Sequence, residues 1–145
     1  MNVKYLTTAL LLLLAVIFVN CNDHPEPPTK QKLNPNEESE LALLMRDMAS
    51  RLDSEKIRVN QGLLPGTYPS TFDKIKSAVP TSTKELGTDF ITYADLYLKR
   101  LNEYHSTNEI TLVKERYNNL VQSCAGCHQV ECPGPLKRIE KMKIN

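Results

Sequence analysis

Two thiols and an imidazole stand close together near the end of this chain, in the pentapeptide Cys124-Ala125-Gly126-Cys127-His128. A helix turns about 100° per residue, so on a helical wheel Cys127 lies about −60° and His128 about +40° from Cys124. All three side chains then share one sector of roughly 100°. Three chemistries use such a set. The thiols can cycle between dithiol and disulfide, or join the imidazole as zinc ligands. They can also add to the two vinyl groups of a haem while the imidazole binds its iron, which is what the order Cys-x-x-Cys-His favours. Ala125 and Gly126 are small and leave a flat macrocycle room to approach. Including Cys132 invites a zinc or iron–sulfur reading, but the spacing fits neither a paired Cys-x-x-Cys framework nor the ferredoxin runs. Cys132 is expected to be structural, or a free thiol near the haem edge.

The segments before this motif say where it is carried. Leu6–Val19 is a strongly apolar run after a short start with one positive charge, Lys4. That is the length of a signal-peptide core and short for a membrane span. The run ends at Phe18-Val19-Asn20-Cys21, which resembles a bacterial lipobox, with Asn20 where lipoproteins usually have a small residue. The expectation is a signal peptide over 1–20 and lipidation of Cys21, with ordinary cleavage or an uncleaved anchor as alternatives. In each case the folded part is exported, facing the periplasm or cell exterior of a bacterium. Residues 21–36 follow with Pro25, Pro27, Pro28 and Pro35, and read as an extended tether. His24 in that tether is expected to be solvated.

Residues 37–145 have the size of one small domain. Removing 1–20 leaves 17 basic and 17 acidic side chains, which argues against an electrostatic nucleic-acid binder. The chain has no tryptophan, no glycine-rich phosphate loop and no Ser-His-Asp pattern. Four helices are expected. The first starts after Pro35-Asn36, with Asn36 as cap and Glu37 and Glu38 in the first turn. It carries the stripe Leu41, Leu44, Met45, Met48 and Leu52, and stops near Gly62. The second covers Ser70–Ala78, with Phe72, Ile75 and Val79 inward, and ends at Pro80. The third shows one face of Leu86, Phe90, Tyr93, Tyr97, Leu101 and Tyr104. The fourth begins near Asn108; its stripe Ile110, Val113, Tyr117, Leu120 and Val121 runs into Cys124 and Cys127. His105, ending the third helix, is expected to be a solvated cap. Short connections favour an all-α antiparallel four-helix bundle with covalently bound haem on its last helix.

From Glu37 to Val130 this layout resembles the class II c-type cytochromes, the cytochrome c-prime group, which carry Cys-x-x-Cys-His on the C-terminal helix of a four-helix bundle. The resemblance implies one covalent haem c, thioether bonds at Cys124 and Cys127, and His128 as proximal iron ligand. It also implies that the site lies where bacteria attach such haems, outside the cytoplasm. Class II proteins often place a basic residue one turn after the histidine, near the haem propionates. Here that place holds Cys132 and then Pro133-Gly134-Pro135, and basic residues return at Lys137 and Arg138.

The sixth iron position separates two functions. Low-spin members fill it with a methionine from the first helix; Met45 resembles that position better and Met48 is the alternative. In c-prime members it is empty or blocked. Met142 is the weaker candidate, because the tail after His128 is short, contains two prolines, and would have to wrap round the haem edge. The leading expectation is a membrane-tethered mono-haem electron carrier, not an enzyme, with redox proteins as partners, the membrane held through the lipid, no nucleic acid, and a possible homodimer. The alternatives are a five-coordinate gas-binding haem protein and a haem-free lipoprotein adaptor. The tail, with Lys137, Arg138, Lys141 and Lys143 beside Leu136, Ile139 and Met142, reads as a short amphipathic helix packed on the bundle or as a basic docking surface.

Overall fold

The computed structural model describes residues 38–81 and 86–145. The expected signal peptide, Cys21, the tether with His24, and the Asn36 cap lie outside these residues. Every regular element among them is helical, so the fold is all-α. None of the helices is long and apolar enough to cross a membrane.

Helix α1 spans Glu40–Asn60. Its cap is Ser39, whose Oγ accepts from the Ala42 amide at 3.1 Å, with Glu40 in the first turn. It ends in a Schellman arrangement: Leu63 N donates to Arg58 O and Gly62 N to Val59 O, with Gly62 at φ 69°. The expected stripe is inward, with Met48 and Leu52 buried and Leu41, Leu44 and Met45 packed against the core. One turn further the stripe continues as a buried carboxylate, Glu55.

The segment expected as a second α-helix is a seven-residue 3-10 helix, η1, Ser70–Lys76. Three residues per turn put Phe72, Ile75 and the following Ala78 on one ridge, and all three are buried. Val79, expected inward, is 59% exposed. Its backbone explains why. Val79 O accepts from Leu41 N at 3.0 Å and Val79 N donates to Glu40 Oε2 at 3.1 Å, so this residue ties the segment to the start of α1 and its side chain faces out.

Helix α2 spans Thr88–His105 and buries Phe90, Ala94, Tyr97, Leu101 and Tyr104. Helix α3 spans Ile110–Glu131 and buries Val113, Tyr117, Leu120, Val121, Ser123 and Ala125. Ile110, expected in that stripe, is 48% exposed at the first turn. After the turn at Pro133-Gly134-Pro135, a short helix α4, Leu136–Met142, folds back with Ile139 and Met142 buried. Helices α2 and α3 make the most extensive pairing; α1 packs on α3, η1 and α4, and α4 packs on α3 and α1. The buried apolar residues of all five elements form one core.

A candidate cofactor cavity at the end of α3

The last two turns of α3 open onto a cavity of about 270 Å³. Every element contributes to its wall: Met45 and Met48 from α1, Ile75 from η1, Phe90, Tyr93 and Tyr97 from α2, Cys124, Cys127 and His128 from α3, and Arg138, Ile139 and Met142 from α4. The two cysteines, the histidine and all three weighed methionines therefore meet at one site, although they come from three helices.

His128 is held by its own helix end. Its Nδ1 lies 2.9 Å from the carbonyl of Cys132, the residue that caps α3. With the proton on Nδ1, the ring donates to that carbonyl and keeps the Nε2 lone pair free for a metal. Cys132 thus serves through its backbone, while its thiol is exposed.

The cavity thiols are not activated. Burial, and then the neighbouring Cys127, push the Cys124 thiol up to about 12. Burial, and then Glu131, push Cys127 up to about 11. Both are protonated at neutral pH, the opposite of the depressed thiols of redox pairs. Among the described residues, no three His, Cys, Asp or Glu side chains group as ligands for a metal ion. Two neutral thiols, a ring with a free nitrogen and an apolar wall carrying thioethers fit an apolar group whose carbon–carbon double bonds take up S–H and whose metal takes one imidazole.

Met48 and Met142 are buried at 4% and 3% exposure, and Met45 is half-buried. Met142, the weaker candidate for the sixth iron position, also lines the wall, because both prolines lie in the turn that sends α4 back over the bundle. Tyr97 is 3% exposed and lines the cavity. Burial pushes its phenol well above the ordinary tyrosine value. Arg138 lines the wall while pairing with Asp53 at 3.1 Å, and Arg46 lines it while pairing with Glu38. Sequence reasoning placed Tyr93 and Tyr97 on a packing face and left the role of Arg138 open. The one signal for them was their spacing on faces that also carry the site residues.

His105 lies elsewhere and is not solvated. Its Nδ1 is 2.9 Å from Gly66 O, and its ring meets Tyr68 and Tyr104 edge-on at 5.7 and 5.0 Å. Burial lowers its pKa. It belongs to a polar knot around Glu55, which sequence reasoning missed. Glu55 Oε2 accepts from Tyr104 OH at 3.0 Å and from Gly66 N at 3.1 Å. Arg51 Nε lies 3.0 Å from Glu55 Oε1 but is not aligned for a hydrogen bond, so charge attraction holds that pair. No family model, no curated protein and no solved structure matches this chain.

Proposed function

We propose that this chain is a mono-haem c-type cytochrome of the class II kind, a bundle with a covalently attached haem on α3, tethered to a membrane outside the cytoplasm and carrying electrons. The carrying observation is the meeting of Cys124, Cys127 and a His128 with its Nδ1 tied back in one apolar cavity. Each thiol would add its S–H across one vinyl double bond, so no group leaves, and His128 Nε2 would bind iron. Haem bound there would supply one-electron exchange between ferrous and ferric iron. Met45 would offer a thioether from the other side, with Met48 as the alternative; such a ligand favours ferrous iron and raises the potential. The apolar wall limits water, which tunes the potential further. No bond in a substrate is made or broken, so the role is not enzymatic. A lipid on Cys21 would keep the domain near membrane redox proteins and raise their effective concentration.

A second reading is a gas-binding haem protein with an open sixth position, favoured by the hollow that remains between the methionines and the Cys124–His128 turn.

The test is expression in a periplasm with cytochrome maturation machinery, read by intact mass and by spectra in both oxidation states. Added haem mass and a sharp low-spin reduced spectrum that is lost in Met45→Ala support the electron carrier. A high-spin spectrum indifferent to that change, with direct carbon monoxide binding, supports the gas-binding reading. A colourless product of bare polypeptide mass sinks both and leaves the haem-free adaptor.

A further inference from the structure

Polar side chains of α1 and α3 fasten the tail in addition to its apolar packing. Lys56 of α1 donates its Nζ to Lys141 O and to Lys143 O, each at 2.8 Å. Asn118 of α3 binds Ile144 in both directions, Nδ2 to the carbonyl at 2.8 Å and Oδ1 from the amide at 3.0 Å. Lys114 Nζ reaches Asn145 O, and Arg138 pairs with Asp53. At the centre is Tyr117, fully buried, whose hydroxyl lies 3.0 Å from Met142 O and 3.2 Å from Leu52 O. One phenolic proton is shared between two carbonyls, one on α1 and one at the end of α4. Apart from Tyr117, these fastenings are exposed or half-buried, the kind of contact that opens locally without global unfolding. The other end of the segment is the Pro133-Gly134-Pro135 turn, which begins beside the carbonyl that holds His128. Between the two ends, Arg138, Ile139 and Met142 form one wall of the cavity.

We propose that Pro133–Asn145 is a latch on one side of the partly open cavity, that Tyr117 is the positioning residue that fastens it, and that its local opening, rather than movement of α1 to α3, widens the way in for small molecules. The identity of the cavity's guest rests on the haem reading above; the latch does not. Opening breaks the bonds to Lys56, Asn118 and Tyr117 and swings α4 about the proline turn. It exposes Ile139 and Met142, and it leaves the pairing of α2 with α3 intact.

The experiment uses the full chain as purified, in wild type, Tyr117→Phe and Asn118→Ala forms. Amide hydrogen exchange is read for residues 136–145 against α2. Access to the cavity is read in ferrous protein by carbon monoxide association, and in haem-free protein by iodoacetamide labelling of Cys127 against the exposed Cys132. Tyr117→Phe is expected to speed tail exchange and cavity access together by about fivefold, the loss of about one net hydrogen bond, with α2 exchange unchanged. Asn118→Ala, on a half-buried residue, is expected to act in the same direction by less. Faster tail exchange without faster access overturns the latch, because the cavity is then reached another way. Tail and α2 exchange rising in step also overturns it, because opening is then global. If the purified chain carries no haem, the haem reading falls, while labelling of Cys127 still decides the latch.

Discussion

The two ends of this helical domain are built from the same three long helices and fill their interior in different ways. Where α1 finishes, Glu55 is buried at 2% exposure and is met by a phenol, a backbone amide and a guanidinium. Tyr104 and Tyr117 fill the space beside it, their ring centroids 5.8 Å apart. Even the loop is shaped to fit: a Cβ on Gly66 would stand 2.7 Å from Glu55 Oε1 and 2.8 Å from Arg51 Nη2. Where α3 finishes, Cys124, Cys127, His128 and the methionines surround a hollow that Tyr97 also lines. A buried polar group without a hydrogen-bond partner costs stability. Among the described residues that cost falls on Arg51 Nε at the Glu55 end, where the charge of Glu55 offsets it, while the other end holds the soft donors. The contrast is between an end filled by side chains and an end that keeps a hollow.

The contrast breaks most completely if the cavity's two thiols are removed. Cys124→Ala combined with Cys127→Ala is expected to abolish covalent haem, read as loss of the added mass and of the visible spectrum, with far-ultraviolet helicity retained because the Glu55 end is untouched. Next in size, Glu55→Ala leaves Tyr104 and the Gly66 amide without an acceptor and is expected to cost about 2–3 kcal/mol in urea unfolding, without shifting the visible spectrum. A spectral shift would mean that the two ends are not independent. Gly66→Ala forces Glu55 or Arg51 aside and is expected to cost about 1–2 kcal/mol by the same measurement.

Alkaline pH sharpens the comparison. Burial raises Cys124 to about 12 and Cys127 to about 11 in the folded chain, whereas an unfolded thiol ionises near about 8.5. The unfolded state therefore loses these protons first. The stability from neutral thiols is complete below about pH 8.5 and declines as pH rises through the folded values. Between about pH 8.5 and 9, where few unfolded tyrosines have yet ionised, the melting temperature of haem-free protein should fall. Holoprotein, whose sulfurs are thioethers on this reading, should not show that fall, and equal slopes in both forms would argue against thioether attachment. The smallest effect belongs to Arg138→Ala. It breaks an ion pair with Asp53 whose partners are both more than half exposed, and is expected to change stability by less than about 0.5 kcal/mol.

The parts legible in the sequence are those decided within one helix. The wheel angles of Cys124, Cys127 and His128, the inward face of α2, and the Gly62 stop follow from local periodicity and backbone sterics. The misreadings have a common cause. The Phe72–Ile75–Val79 spacing fits an α-helix, but a short segment anchored to α1 through Val79 took the tighter 3-10 winding and buried Ala78 instead. His105 looked like a helix-end cap because nothing local reveals that Gly66 and Tyr68 fold over it. Nothing local marks Glu55 as buried, because its partners Tyr104 and Gly66 are remote in sequence.

Side-chain spacing alone determined that this chain is helical and that two thiols and an imidazole share one helical sector, because a helix converts sequence separation directly into angle. Only the tertiary structure decided which thioethers face that sector, and that the tail closes the cavity wall. Met45 and Met48 reach it from α1 and Met142 from α4, and the place of α4 depends on how the Tyr117 hydroxyl, the Lys56 amine and the proline turn fasten the tail to α1 and α3.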